Sequence, residues 1–377
     1  MSSIARRTFG IASAGLALAA LLSPNAALAQ DGPFTAGKVF TASNTPAGNE
    51  LIVLGRAADG ALTLVDRLPT HGTGTGAGLG SQGAVTLTGD GRQVLVVNAG
   101  SHTLSLFTLT GARPALTAVI DSGGLTPISV SESNGLVYVL NAGGAGNVAG
   151  FRIVGTTLQP LPTSARALSA QGGSGPAQVG FSSDGGTLLV TEKATNKLVS
   201  WRVDAASGLL GAVTITASAG ITPFGFAFDN RDRVIVSEAV GGAALASTAS
   251  SYRFAEQRPA VPVVVSAAVP TQQTAACWVA VTPNGRHAYT GNAGSSSISL
   301  YRVGRDGSLD LAQPAAGVTG NGTGVTDLAI GRSGQALYAL APGATRVVAY
   351  EIHSDGQLAT TSTLAGLPTL LVGLAAN

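Results

Sequence analysis

Residues 176–217 read PAQVGFSSDGGTLLVTEKATNKLVSWRVDAASGLLGAVTITA. Four short apolar runs stand out: PAQVGF, TLLVTE, LVSWRV and AVTITA. The turn Ser183-Asp184-Gly185, a polar loop and a second turn separate them. Each run is too short for a helix, and no amphipathic period of 3.6 residues spans them. The stretch reads as four antiparallel strands joined by turns.

The same unit recurs on both sides. An aromatic followed by a polar residue marks one strand at Phe107-Thr108, Phe151-Arg152, Trp201-Arg202, Tyr252-Arg253, Tyr301-Arg302 and Tyr350-Glu351. These aromatics lie 44, 50, 51, 49 and 49 residues apart, with Leu54 in the same place one unit earlier. A second column closes another strand at Asn44, Asn98, Asn141, Glu192, Glu238, Asn292 and Ala341. Four strands in a unit of about 40–50 residues is the pattern of a β-propeller blade.

Six full units start near Gln82, Thr126, Pro176, Thr222, Ala276 and Val325. Residues 37–70 hold three more strands but lack an innermost one. The C-terminal LPTLLVGLAAN supplies a lone candidate beginning at Pro368. Joining the two pieces predicts an all-β, seven-bladed propeller, four antiparallel strands per blade, closed by the C-terminal strand. Closure leaves no free sheet edge at the seam.

GLGSQG at 78–83 fits the glycine pattern of dinucleotide-binding turns. That pattern needs a strand before it and a helix after it. Here AVTLTGDGRQVLVVN follows, an alternating run and an Asp90-Gly91 turn that read as a hairpin. In a chain with 52 glycines the match is a loop, crossing the mouth or rim from the first blade to the next.

Residues 1–29 carry Arg6 and Arg7, the apolar run IASAGLALAALL and the small residues Ala27-Leu28-Ala29, the order of a cleaved export signal. Arg6-Arg7-Thr8-Phe9 is similar to the twin-arginine signal. The expectation is a chain of residues 30–377, one domain, periplasmic or secreted and monomeric. The whole chain has 21 basic and 19 acidic residues, so without Arg6 and Arg7 the balance is 19 against 19. No clustered Lys and Arg suggest nucleic acid, and no second apolar run is long enough to span a membrane. The single cysteine, Cys277, lies in AACWVAV and reads as a core residue.

The repeats, with Tyr138-Val139-Leu140-Asn141 among them, resemble the β-propeller lactonase family, which includes propeller-type 6-phosphogluconolactonases and carboxymuconate-cyclising enzymes. The resemblance spans roughly residues 37–377 and implies a lactone hydrolase. The family carries Pro-His at the start of one innermost strand and Pro-Arg-His at the next, with an acidic residue closing the following strand. Here Ala177 follows Pro176, and Phe224 and Gly225 follow Pro223, while Ser237-Glu238 keeps the acid. The missing His and Arg point away from phosphorylated substrates and toward a neutral sugar lactone.

The start of each innermost strand and the end of the second share one face of the disc. The expected mouth therefore gathers Asn44, Asn98, Asn141, Glu192, Glu238 and Asn292, with Gln178, Trp278 and Asp327 near it. In the lactonase reading Glu238 is the general base, and Glu192 or Asp327 tunes it or acts as acid. Asn98, Asn141, Gln178, Asn292, Trp278 and Lys193 would bind substrate, the neutral donors stabilising an oxyanion. The bland reading makes the asparagines turn formers and the glutamates solvated or paired with Lys193. No cofactor is expected. Oxygen ligands on Glu192 and Glu238 suit Ca²⁺ or Mg²⁺, but no metal motif is present. His71, His102, His287 and His353 read as surface residues beside turns. The competing class is a propeller that holds a ligand, glycan or envelope protein without reacting.

Overall fold

The computed structural model describes residues 1–2, 37–111, 113–254 and 261–377. The export signal expected at 1–29 falls, apart from its first two residues, outside them. No helix among the described residues is long and apolar enough to cross a membrane.

Seven antiparallel sheets follow the chain, six of four strands and one whose outer strand is in two pieces, on the four-strand plan that the repeat predicts. The first blade takes Lys38–Ala42, Glu50–Arg56 and Leu62–Pro69 from the N-terminal side and Val372–Ala376 as its innermost strand. The seam pairs Val39 with Ala376 and Phe40 with Ala375. Asn377 fastens it: its Oδ1 accepts from Lys38 N at 2.6 Å and its N donates to Lys38 O at 3.1 Å. Pro368 lies in the loop before this strand rather than at its start.

The other innermost strands are Val85–Leu87, Pro127–Ser133, Pro176–Phe181, Pro223–Phe228, Ala276–Val281 and Asp327–Ile330. The second strands, such as Gln93–Asn98, Leu136–Asn141 and Thr187–Glu192, are buried at every position. Each blade is packed on both faces by its neighbours, so these strands read as continuous apolar runs. Outer strands such as Ala115–Asp121 and Leu210–Ala217 alternate toward solvent.

The third blade departs from the repeat. Its outer strand splits into Thr157–Pro160 and Arg166–Ala167, both paired with Asn147–Val154. Pro162 has no N–H to give to a ladder. The intervening Ser164 instead receives Gly150 N on its Oγ at 3.0 Å.

The aromatic column locks blade to blade. Phe107, Phe151, Trp201, Tyr252, Tyr301 and Tyr350 are all buried. Tyr350 and Tyr301 donate their hydroxyls to Val318 O at 2.7 Å and Val269 O at 3.1 Å, at the outer strand of the preceding blade. Tyr252 OH accepts from Ala219 N at 2.8 Å in the same way. A second set, Tyr138 to Gly208 O at 2.9 Å and Tyr289 to Gly356 O at 2.7 Å, ties second strands to turns of the following blade.

Candidate functional site

An innermost strand turns one edge to the propeller axis, and its amide groups need partners there. Side chains of the preceding blade supply many of them. Ser129 Oγ accepts from Val179 N at 3.1 Å and Ser131 Oγ from Phe181 N at 3.2 Å. Thr86 Oγ1 donates to Val130 O at 2.7 Å. Gln178 clamps Phe226 with both ends of its amide, Nε2 to O at 3.0 Å and Oε1 from N at 2.7 Å. The amide expected to meet substrate thus bonds the backbone of the next blade.

The glycine-rich connection closes the mouth. It leaves the first blade at Pro69 and runs to Val85, passing so near the second strands that side chains would collide. A Cβ on Gly72 would sit 2.3 Å from the Asn98 side chain, and one on Gly74 2.0 Å from Asn44 O. Gln82 then reaches across the axis to the sixth blade, donating from Nε2 to Val279 O at 2.8 Å and accepting on Oε1 from Val279 N at 3.0 Å. Its own N donates to Ala177 O at 3.1 Å. Trp278 Nε1 donates to Ser81 O at 3.0 Å, and Lys193 Nζ donates to Gly80 O.

This crossing sits where the resembled family carries its His and Arg. A Cβ on Gly225 would lie 2.1 Å from Gln82 Oε1 and 2.5 Å from Cys277 O. Any larger residue at 225 displaces Gln82. Phe224 packs on Trp278 with centroids 5.2 Å apart, and Lys193 Nζ lies 4.7 Å from the Phe224 centroid. Burial holds the Lys193 ammonium below its usual range. Ala177, Phe224 and Gly225 are therefore part of the packing around the loop.

The Asn/Glu column is buried and bonded to its own scaffold. Asn44 holds the glycine loop through Thr75 Oγ1 at 3.0 Å and Ala77 O at 2.5 Å. Asn98 Oδ1 accepts from Asn49 Nδ2 at 3.0 Å and Thr70 Oγ1 at 2.7 Å, while its Nδ2 donates to Thr103 and Ser105. Asn141 exchanges bonds with Ser122, and Asn292 donates to Ser297 and Ser299. Glu192 accepts from Ser169 N at 2.8 Å and Thr195 Oγ1 at 2.5 Å. Glu238 accepts from Gly220 N at 3.0 Å and from Thr248 Oγ1. In the blades of Asn98, Asn141, Glu192 and Glu238, the residue closing the second strand bonds the connection that enters its innermost strand. Burial raises the Glu238 carboxyl above its usual range, against hydrogen bonds led by Ser250 and Thr248 that lower it. Lys193 does not pair with either glutamate, contrary to the bland expectation; it turns to the Gly80 carbonyl.

One ring of polar groups around an open mouth is thus not what the fold builds. The crossing segment divides the axis in two. On the mouth side is a cavity of about 540 Å³ lined by residues 78–81, Trp278, Thr326, Pro342, Gly343 and 369–373. Leu79, Trp278, Pro342, Leu370 and Val372 give it apolar walls, and Ser81, Thr326 and Thr369 give it hydroxyls. The Thr326 hydroxyl is buried with no hydrogen-bond partner. Leu370 holds φ at +67°, a left-handed conformation that costs a branched side chain about 1–2 kcal/mol. Strain of this kind gathers at binding sites. Of the predicted residues only Trp278 lines this cavity; Lys193 abuts it through Gly80. Leu79, Thr326 and Leu370 were missed. Their signal was the glycine loop and the C-terminal strand's approach, seen only once the ring closes.

On the other side the axis is a second cavity of about 340 Å³, lined by Gln82, Thr86, Ser131, Gln178, Asp327 and the innermost strands down to Phe228 and Ile330. Asp327 and Gln178 therefore lie behind the crossing segment, apart from the mouth cavity.

Cys277 is buried, its thiol pushed up to about 12 by burial, which removes it as a nucleophile at neutral pH. His287 is buried rather than at the surface, under the turn at Gly356. His102 Nδ1 accepts from Thr126 N at 2.9 Å. Among the described residues no three His, Cys, Asp or Glu side chains gather as metal ligands.

Residues 155–241, spanning Glu192 and Glu238, match the family model described as Lactonase, 7-bladed beta-propeller. Among solved structures, the chain is similar to the periplasmic gluconolactonase of Pseudomonas aeruginosa, at TM-score 0.68 and 15% identity over 90% of this chain and 98% of that one. It is similar to a protein from Lactobacillus plantarum at TM-score 0.70 and 17% identity, over 90% and 99%. It is also similar to hydrazine synthase of Kuenenia stuttgartiensis, at TM-score 0.55 and 17% identity over 81% and 93%. None of the curated proteins matches it. Identities this low speak for the fold alone, which these proteins put to different uses. The resemblance to the β-propeller lactonase family therefore holds, on the match over residues 155–241 and on a seven-bladed ring closed by its own C-terminal strand.

Proposed function

We propose that this chain is a binding propeller whose mouth cavity takes a small, uncharged, ring-shaped ligand such as a sugar lactone. One observation carries the reading. Among the described residues, no titratable side chain lines the mouth cavity, so it offers shape and hydrogen bonds but no general acid or base. Its volume suits a small ring. Trp278 offers a face, and the unpartnered Thr326 hydroxyl offers a polar contact. The low charge around it suits a neutral ligand better than a phosphorylated one. The export pattern at residues 1–29 supports a working place outside the cytoplasm.

The test is a titration of the chain of residues 30–377 with sugar lactones and monosaccharides, read by tryptophan fluorescence and calorimetry. Saturable binding lost in Trp278→Phe is the expected result. No saturable signal with any ring compound would remove the reading.

A second reading, ring opening by Glu238, is favoured by the family match around it and by its raised carboxyl pKa, which moves it toward the range a general base needs. It requires the Gly220 and Thr248 bonds to Glu238 to open. A pH-stat assay on the same lactones, beside Glu238→Gln, decides between them. Acid release that disappears in the variant would make the chain a lactonase.

A further inference from the structure

Asp327 opens the innermost strand of the seventh blade and is almost wholly buried, 1% exposed. Its Oδ1 accepts from Leu328 N at 2.8 Å. Its Oδ2 is buried with no hydrogen-bond partner, while the residue forms part of the wall of the axial cavity. Buried carboxylate oxygens are seldom left unsatisfied, and such an oxygen at a cavity wall calls for a partner from within the cavity.

The other walls narrow the choice. Asp327 is the one charged side chain among the described lining residues. The rest of the polar lining is oxygen or amide: Thr86 and Ser131 hydroxyls and the Gln82 and Gln178 amides. Among the described lining residues there is no imidazole or thiol to hold a soft metal. With both glutamine amides bonded to Val279 and Phe226, a single carboxylate and two hydroxyls suit a hard cation that keeps most of its water, and a cavity of about 340 Å³ holds that water.

We propose that the axial cavity, behind the Gln82 crossing, is a site for one partly hydrated divalent cation of the Mg²⁺ or Ca²⁺ type, bound through Asp327 Oδ2. Thr86 and Ser131 line the same space. The site does not depend on the mouth cavity or on any reaction there.

The experiment titrates chelator-stripped protein, residues 30–377, with CaCl₂ and with MgCl₂ at pH 8.5, by calorimetry. One saturable site is expected, with a dissociation constant on the order of 10⁻⁴–10⁻³ M. Asp327→Asn should lose binding at least tenfold, and Ser131→Ala should weaken it less. Asp310→Asn, at an exposed carboxylate on the outer strand, is the control and should bind as the parent does. Absence of heat with both ions at 10-fold the expected constant, equal binding by Asp327→Asn, or the same response to NaCl would each overturn the proposal.

Discussion

Asp327 sets the sign of one pH effect on stability. Its carboxyl titrates near 8 in the fold against 3.8 in the unfolded chain. The folded-state pKa is raised, so its contribution is full below about pH 4, falls as pH rises, and is gone above 8. An amide of the same shape does not titrate. In chelator-stripped buffer, Asp327→Asn should therefore gain on the parent between pH 4 and pH 8.5, by up to about 5 kcal/mol. Urea melts at several pH values measure this; two parallel profiles would mean that the carboxyl meets water. The residue scale also explains Gly225. The sequence shows a missing His-Arg pair, and the structure shows what replaced it: the Gln82 amide, seated where any Cβ at 225 would collide.

At the scale of the element, the repeat is a clamp before it is a site. The Asn or Glu that closes the second strand in blades two to five bonds the connection entering the innermost strand. The tyrosines of the third strand hold the preceding blade through their hydroxyls. Tyr350→Phe keeps the ring and removes only the bond to Val318 O. It should cost about 1–2 kcal/mol, because a buried carbonyl is left without its donor. Chemical denaturation with an unchanged m-value would check it, and a cost within error of zero would show that water replaces the hydroxyl.

For the whole molecule, closure is the decisive contact. Val372–Ala376 fills the innermost place of the first blade and also meets the innermost strands of the second and seventh. Ending the chain at Leu371 exposes the edge of Lys38–Ala42 and removes Val372 and Leu374 from the core. The loss should be about 5 kcal/mol, with a lower and broader thermal transition by calorimetry. A truncated chain that melts like the full one would mean that the other six blades hold the first without the seam.

Blade number, strand order and the closing strand were legible because local chemistry fixes them: turn residues at regular intervals, apolar runs between them, and an aromatic column every 44–51 residues. The polar column was legible as a column, yet its role was not. Whether Asn98 meets a ligand or Thr70 depends on which loop packs over it, and Thr70 is 28 residues away in sequence. Gln82 and Val279 are 197 residues apart, beyond the reach of any local pattern. The sequence by itself determined the ring, through periods and turns that each segment carries alone. The tertiary structure decided the rest: a glycine-rich strand of backbone crosses the axis, bonds the far blade, and leaves one neutral cavity at the mouth and one carboxylate behind it.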